Sequence, residues 1–308
     1  MGKSLRVAYG DTLVQLGEEN DKIVVLDADL AHATQTLAFR KRFPDRHFDM
    51  GIAEANMVCA AVGFAHTGFI PFVSTFAMFG AGRAFEQIRN SVCYTNCNVK
   101  LAFTHAGISV GEDGGSHQSV EDISLMRSLP NMTVFAPCDG TETEKAVRAA
   151  AEINGPVYIR LARPASADIT AADTPFVPGK ANLLKDGKDV CIISCGLMVA
   201  KAFDAAAQLE AEGISAAVVN MHTIKPIDRE MILKMNGQCR AIVTLEEHSV
   251  IGGLGSAVAE VLAGHSGAKF AMVGIQDKFG KSGKPDQLFE AYGLTAEKVV
   301  ETTRELLK

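Results

Sequence analysis

Apolar positions along this chain fall into two alternating patterns: short runs rich in β-branched residues, and longer stretches with apolar residues three and four apart. The spacing predicts a helix over Leu5–Glu19, a buried strand over Lys22–Asp27 (KIVVLD) and a short helix over Thr36–Phe43. A short strand at Phe48–Gly51 then runs into a helix from Ala53 to Thr67, apolar or small at Ala53, Met57, Ala60, Ala61 and Phe64. Next come a strand at Ile70–Ser74, a helix opening at Thr75 and reaching Val92, and strands at Val99–Thr104 and Thr133–Ala136. A helix at Thr141–Ile153 and a strand at Pro156–Leu161 end this series.

From Pro164 the pattern breaks. The stretch PASADITAADTPFVPGKANLLKDGKD carries three prolines and several turn residues, and reads as an interdomain linker. Strands at Val190–Ser194, Ala216–Val219, Ala241–Glu246 and Lys269–Val273 then alternate with helices at Leu197–Glu212, Asp228–Asn236 and Gly255–Gly264, with a terminal helix after Thr295. Strand and helix in alternation argue for parallel α/β layers. The expectation is an α/β chain of two doubly wound domains, 1–165 and 188–308, joined by a linker at 166–187.

At 308 residues, both domains have ordinary size and can bury a core. A net charge of −6 gives no broad basic footprint for nucleic acid or an anionic membrane. No apolar run reaches the ~20 residues of a membrane span, and the start MGKSLRVAYGD has no signal-peptide core, so the expected compartment is the cytoplasm. Seven cysteines without a C-x-x-C pair fit reduced thiols, with Cys59, Cys191 and Cys195 expected in the core.

Two stretches carry chemistry. Glu54 lies in the first turn of a helix expected to be buried, where the helix N-terminus lowers a carboxyl pKa and desolvation raises it. It reads either as a charge complementing the helix dipole or as a catalytic acid. Phe76 and Phe79 share one helical face, which by itself is ordinary core packing. The second stretch, Thr104–Gln118, leaves a strand end with four glycines, two histidines and two acids, the composition of a ligand loop at the carboxyl edge of a parallel sheet. A surface turn at Gly111–Gly115 and core imidazoles at His105 and His117 are the plainer alternatives. The two histidines lack the i, i+4 spacing of a helical ligand pair, so no metal site is read here. Gly252–Gly255 is not a G-x-G-x-x-G motif and reads as a tight turn before a helix.

The segments around Glu54 and Phe76–Phe79 together resemble the thiamine-diphosphate pyrimidine-binding domain of transketolases, and GEDGGSHQ at 111–118 is similar to their signature GEDGPTHQ. The resemblance continues through Gly280–Lys284 and PDQLFEAYGLT, so it identifies a pyrimidine-binding domain followed by a transketolase C-terminal-like domain. It implies that Glu54 bonds N1′ of the cofactor pyrimidine, with Phe79 and Phe76 stacking on or beside its ring. It also implies that Asp113 holds the 2-hydroxyl of the donor sugar and that His117 contacts the sugar carbonyl and transfers protons. His105, Arg163 and Arg6 would meet the substrate phosphate, a role suited to the bidentate, permanently charged guanidinium. Without the resemblance both arginines read as solvated surface charges.

There is one departure from the family pattern. Ala33 stands where the family's D-L-T-P-S segment has its phosphate-contacting serine. The chain also has no G-D-G, the start of the module that holds the diphosphate through Mg²⁺. The resemblance therefore implies one subunit of a split transketolase. An N-terminal partner would carry the diphosphate and metal, the assembly would be α2β2, and the reaction would be ketol transfer between sugar phosphates. The alternatives are a 2-oxo-acid dehydrogenase β-subunit, which lacks the sugar-directed loop, and a 1-deoxyxylulose-phosphate synthase, which has Arg where His105 stands. An inactive regulatory or scaffolding subunit is the non-enzyme alternative.

Overall fold

The computed structural model describes residues 2–308. Twelve strands form two sheets: β1 (Ile23–Asp27), β2 (His47–Asp49), β3 (Ile70–Phe76), β4 (Lys100–Thr104), β5 (Thr133–Phe135), β6 (Val157–Arg160), β7 (Asn182–Lys185), β8 (Val190–Ser194), β9 (Ala216–Asn220), β10 (Thr223–Lys225), β11 (Ala241–Ser249) and β12 (Lys269–Ile275). The first sheet has the order β10-β5-β6-β4-β3-β1-β2 and the second β12-β11-β8-β9-β7. All pairings are parallel except β10 on β5 and β7 on β9. Strands β1, β4, β8 and β9 are buried along their whole length, which is why their centres read as apolar runs rather than as an alternation. This is the expected α/β chain with two doubly wound layers.

Several elements depart from the sequence expectation. The helix expected from Thr75 starts later, because β3 continues to Phe76. The segment that follows is a π-helix at Met78–Arg83, one α-helical turn at Phe85–Gln87 and a second π-helix at Ile88–Cys93. Part of the linker stretch is structured: residues 182–185 form β7 on the edge of the second sheet. Asp139 binds the preceding segment through the amides of Ile169 and Thr170. Strand β10 lies far along the chain yet closes the edge of the first sheet. Three residues are too few to carry a period-2 signal. Cys59, expected in the core, is exposed, because Met57, Val58 and Ala61 form the inner face of its helix.

The two layers share a core. One apolar cluster runs from Val24, Met57 and Leu101 through Met126 and Val134 to Cys191, Ile224 and Val258. No helix among the described residues is long and apolar enough to cross a membrane.

Candidate active site

The first sheet changes direction between β1 and β3, and the crevice outside the carboxyl ends of strands at such a point is where open α/β sheets bind ligands. Glu54 reaches this edge through a tight turn after β2. Asp49 Oδ1 accepts the amides of Asp29 and Gly51, Gly51 has φ +68°, and the helix Glu54–His66 begins at once. Ala53 offers no side-chain cap, so Glu54 itself brings negative charge to the first turn. Its residue is only 4% exposed.

Phe76 at the end of β3 and Phe79 in the π-helix stack with ring centroids 5.6 Å apart. His105, just past β4, stacks on Phe76 at 3.8 Å. His117 stands edge-on to Phe79 at 5.1 Å and to Phe76 at 6.5 Å. Arg83 completes the group: its guanidinium lies 4.2 Å over the Phe79 ring and donates to Glu54 Oε1 at 3.2 Å. Glu54 and Phe79 therefore bound one slot, bridged by Arg83. The Arg83 side chain is 54% exposed, so water solvates its outer edge.

The loop after β4 is built on left-handed backbone, with positive φ at His105, Gly107, Gly111 and Gly114. His105 Nδ1 pairs with Thr104 Oγ1 at 2.8 Å. Burial, then the charges of Arg6, Arg163 and His117, pushes the His105 pKa down to about 3, so it meets a ligand as a neutral imidazole. Beside it is a cleft of about 430 Å³ lined by Ser4, Arg6, Ser109, Glu112, Arg163 and Pro285. Arg6 Nη1 donates to Ala33 O at 2.8 Å, Arg163 Nη1 donates to Val110 O, and Glu112 lies 3.8 Å from Arg163. Arg6 Nε and Ser109 Oγ are buried without a partner among the described residues. Two guanidiniums and two unmatched polar atoms suit a tetrahedral oxyanion.

The structure thus brings Glu54, Phe76, Phe79, His105 and His117 into one cluster, with Arg6 and Arg163 in the adjoining cleft. Asp113 is exposed at the turn of the loop, beside Glu112. Gly252–Gly255 is a tight turn whose helix N-terminus is filled by Glu246, which accepts the Leu254 and Gly255 amides at 2.6 and 2.7 Å. Sequence reading missed Arg83, which in the sequence is one more charge on an expected helix. It also missed Ser109, for which no signal exists in one sequence.

Comparison with known proteins gives the same two units. The family model "Transketolase, pyrimidine binding domain" matches residues 2–167 and "Transketolase, C-terminal domain" matches 179–299. A Methanocaldococcus jannaschii protein provisionally named a transketolase C-terminal section is 48% identical over 99% of this chain and 97% of its own length. A 6-deoxy-6-sulfo-D-fructose transketolase subunit of Clostridium sp. is 43% identical over 98% of this chain and 94% of its own length. Human transketolase is 39% identical over 98% of this chain, which spans 49% of the human protein. A solved structure described as a split-gene transketolase, inactive beta4 tetramer, superposes with a TM-score of 0.91 at 53% identity, covering 100% of this chain and 99% of that one. The chain therefore belongs to the transketolase family and corresponds to its C-terminal section, the pyrimidine-binding and C-terminal domains together.

Proposed function

We propose that this chain is the C-terminal subunit of a thiamine-diphosphate-dependent transketolase, moving a two-carbon ketol unit from a ketose phosphate to an aldose phosphate. The observation that carries the reading is the Arg83 guanidinium held between Glu54 and Phe79. It is a flat group with in-plane N–H donors, stacked on an aromatic ring and bonded to a buried carboxylate. An aminopyrimidine has the same flat face and fits the same slot, its ring nitrogen taking a proton from the Glu54 carboxyl where the guanidinium donates one, so the residues present fit the group.

When bound, thiamine diphosphate supplies the nucleophilic carbon that cleaves the ketose C–C bond and carries the two-carbon unit. Glu54 holds a proton at N1′ of the pyrimidine, with Phe79 and Phe76 fixing the ring plane. Asp113 accepts from the donor 2-hydroxyl, and His117 moves protons at the sugar carbonyl oxygen. Arg6 and Arg163 bind the phosphate with charge, and neutral His105 adds a hydrogen bond. The diphosphate and its Mg²⁺ belong to an N-terminal partner subunit, because this chain lacks G-D-G. The match to half of human transketolase and the inactive tetramer of the solved relative support that requirement. The active assembly is an α2β2 heterotetramer of the cytoplasm.

Ala33 favours a second reading that keeps the reaction and changes the anion. Without the family's serine hydroxyl, the two arginines suit a sulfonate as well as a phosphate, as the name of the Clostridium relative suggests.

Reconstitution tests both. The purified chain with thiamine diphosphate and Mg²⁺ is expected to be inactive alone and to transfer ketol units once the N-terminal subunit is added. Relative kcat/KM for ketose phosphate and sulfoketose donors identifies the anion. Ketol transfer by the chain alone would overturn the partner requirement, and turnover of simple 2-oxo acids without sugar transfer would overturn the reaction.

A further inference from the structure

Near its end strand β11 carries Glu246, Glu247 and His248, all buried, and each holds a neighbouring segment. Glu246 fills its own domain's helix N-terminus as described above, while His248 Nε2 accepts the amides of Ile123 and Ser124 at 3.1 and 3.3 Å. Glu247 projects from the other face of the strand into the first unit. Its Oε1 accepts the Ser109 amide at 2.6 Å, and its carboxyl occupies the space where a Cβ on Gly107 would stand. Its backbone carbonyl accepts from Arg160 Nη2 at 2.9 Å, and Arg160 is in turn bound to Asp122, which accepts the Tyr158 hydroxyl at 2.6 Å. Burial pushes the Glu247 carboxyl up to about 7, with Arg160 and the Ser109 amide pulling it down.

The far end of the same loop is also held. Gln118 Nε2 donates to Ile108 O and Gly111 O within the loop and to Lys281 O across the domain boundary, at 3.0–3.1 Å. The Gly280 carbonyl stands 2.6 Å from where a Cβ on Gly115 would be, and Ser282 Oγ is 2.5 Å from the same point on Gly114. Gly115, which replaces the proline of the transketolase signature, therefore leaves room for this approach.

We propose that the C-terminal domain positions the substrate loop, with Glu247 latching its Gly107–Ser109 end and the Gly280–Ser282 turn clasping its Gly114–Gln118 end. The loop's own backbone bonds, from Gly111 to Ile108, Gly114 to Gly111, and His117 and Gln118 to Gly114, close small turns, and the outside partners fix those turns against the second domain. Asp113 lies between the two clasps and His117 within the second. The inference rests on the proposed function only in taking those two residues as the ones that meet the sugar. Glu247 is a positioning residue, since it contacts the loop and not the ligand.

The test compares Glu247→Ala with Glu247→Gln, which keeps an acceptor for the Ser109 amide and guards against simple misfolding. Both are made in the full chain and assayed with the N-terminal subunit. Glu247→Ala is expected to lower kcat/KM for the ketose donor about tenfold, with the Kd for thiamine diphosphate unchanged. Hydrogen exchange in peptides covering 106–118 should quicken, and Glu247→Gln should restore both readouts most of the way. Equal losses of cofactor binding, thermal stability and turnover in both variants would reduce Glu247 to a fold residue and overturn the proposal, as would unchanged loop exchange in Glu247→Ala. If the unaltered complex transfers no ketol unit, the functional reading fails, and loop exchange alone then decides the latch.

Discussion

Glu54 pairs with one cation, Arg83, and that same guanidinium covers the face of Phe79. A ligand that stacks on Phe79 must displace it, and its 54% exposure lets it swing into solvent at little cost. Glu54 is then free to carry a proton to N1′, a ring nitrogen that accepts, so the proposed contact is a proton shared between the carboxyl and the pyrimidine. Glu54→Gln should leave the fold intact, since an amide fits the same space, yet slow activation of the bound cofactor by ~10²-fold or more. Hydrogen–deuterium exchange at the cofactor's reactive carbon in the reconstituted enzyme measures this, and a near-normal rate would sink the assignment. At this scale the grouping of Glu54, Phe79, His105 and His117 followed from the resemblance of their segments to transketolase motifs, since spacing alone read them as a helix charge, core packing and core imidazoles. Arg83 and Glu247 were not legible, for opposite reasons. Arg83 reads as any exposed helix charge, and Glu247 acts from a strand more than a hundred residues away.

The segment after β3 shows what periodicity cannot see. One continuous helix was expected there, and the chain instead opens two π-turns on either side of a single α-turn. Local π geometry widens the helix and re-aims side chains, a device common at functional sites. Here it carries both Phe79 and Arg83. The turn can approach β4 only because residue 80 is glycine: a Cβ there would collide with the Phe103 ring. Gly80→Ala should therefore overpack this contact, destabilise the protein by about 1–3 kcal/mol and push Phe79 off its stack. Thermal denaturation read beside the cofactor Kd checks it, and a wild-type value for both would show that the helix has room to move. The strands, by contrast, were mostly legible, because burial on both faces gives β1, β4, β8 and β9 apolar centres with polar residues only at their ends. Strands β7 and β10 escaped notice because each is three or four residues long and lies on an edge.

For the whole molecule, the two family units on either side of the linker are packed directly on one another. Phe176 packs edge-on against Phe135 at 5.2 Å and stacks on His222 at 4.2 Å, and the Ala136 amide donates to His222 O. Lys225 Nζ donates to the carbonyls of Arg127 and Leu129. A fragment ending at residue 180 would expose β5 and the apolar side chains beside it, and unpaired edges of this kind invite association. It should aggregate or melt without cooperativity, whereas the whole chain should melt as one unit. Light scattering and near-ultraviolet circular dichroism of the fragment decide the matter, and a monodisperse, cooperatively melting fragment would count against the shared core. The short strand β10 has a wider consequence. During synthesis, residues 2–167 leave the ribosome before the strand that completes their sheet exists, so that layer waits with an open margin until residue 225 emerges. Gene fusion, domain shuffling or library recombination that respects the apparent domain boundary would make that wait permanent, so the two layers can be inherited or transplanted only as a single cassette.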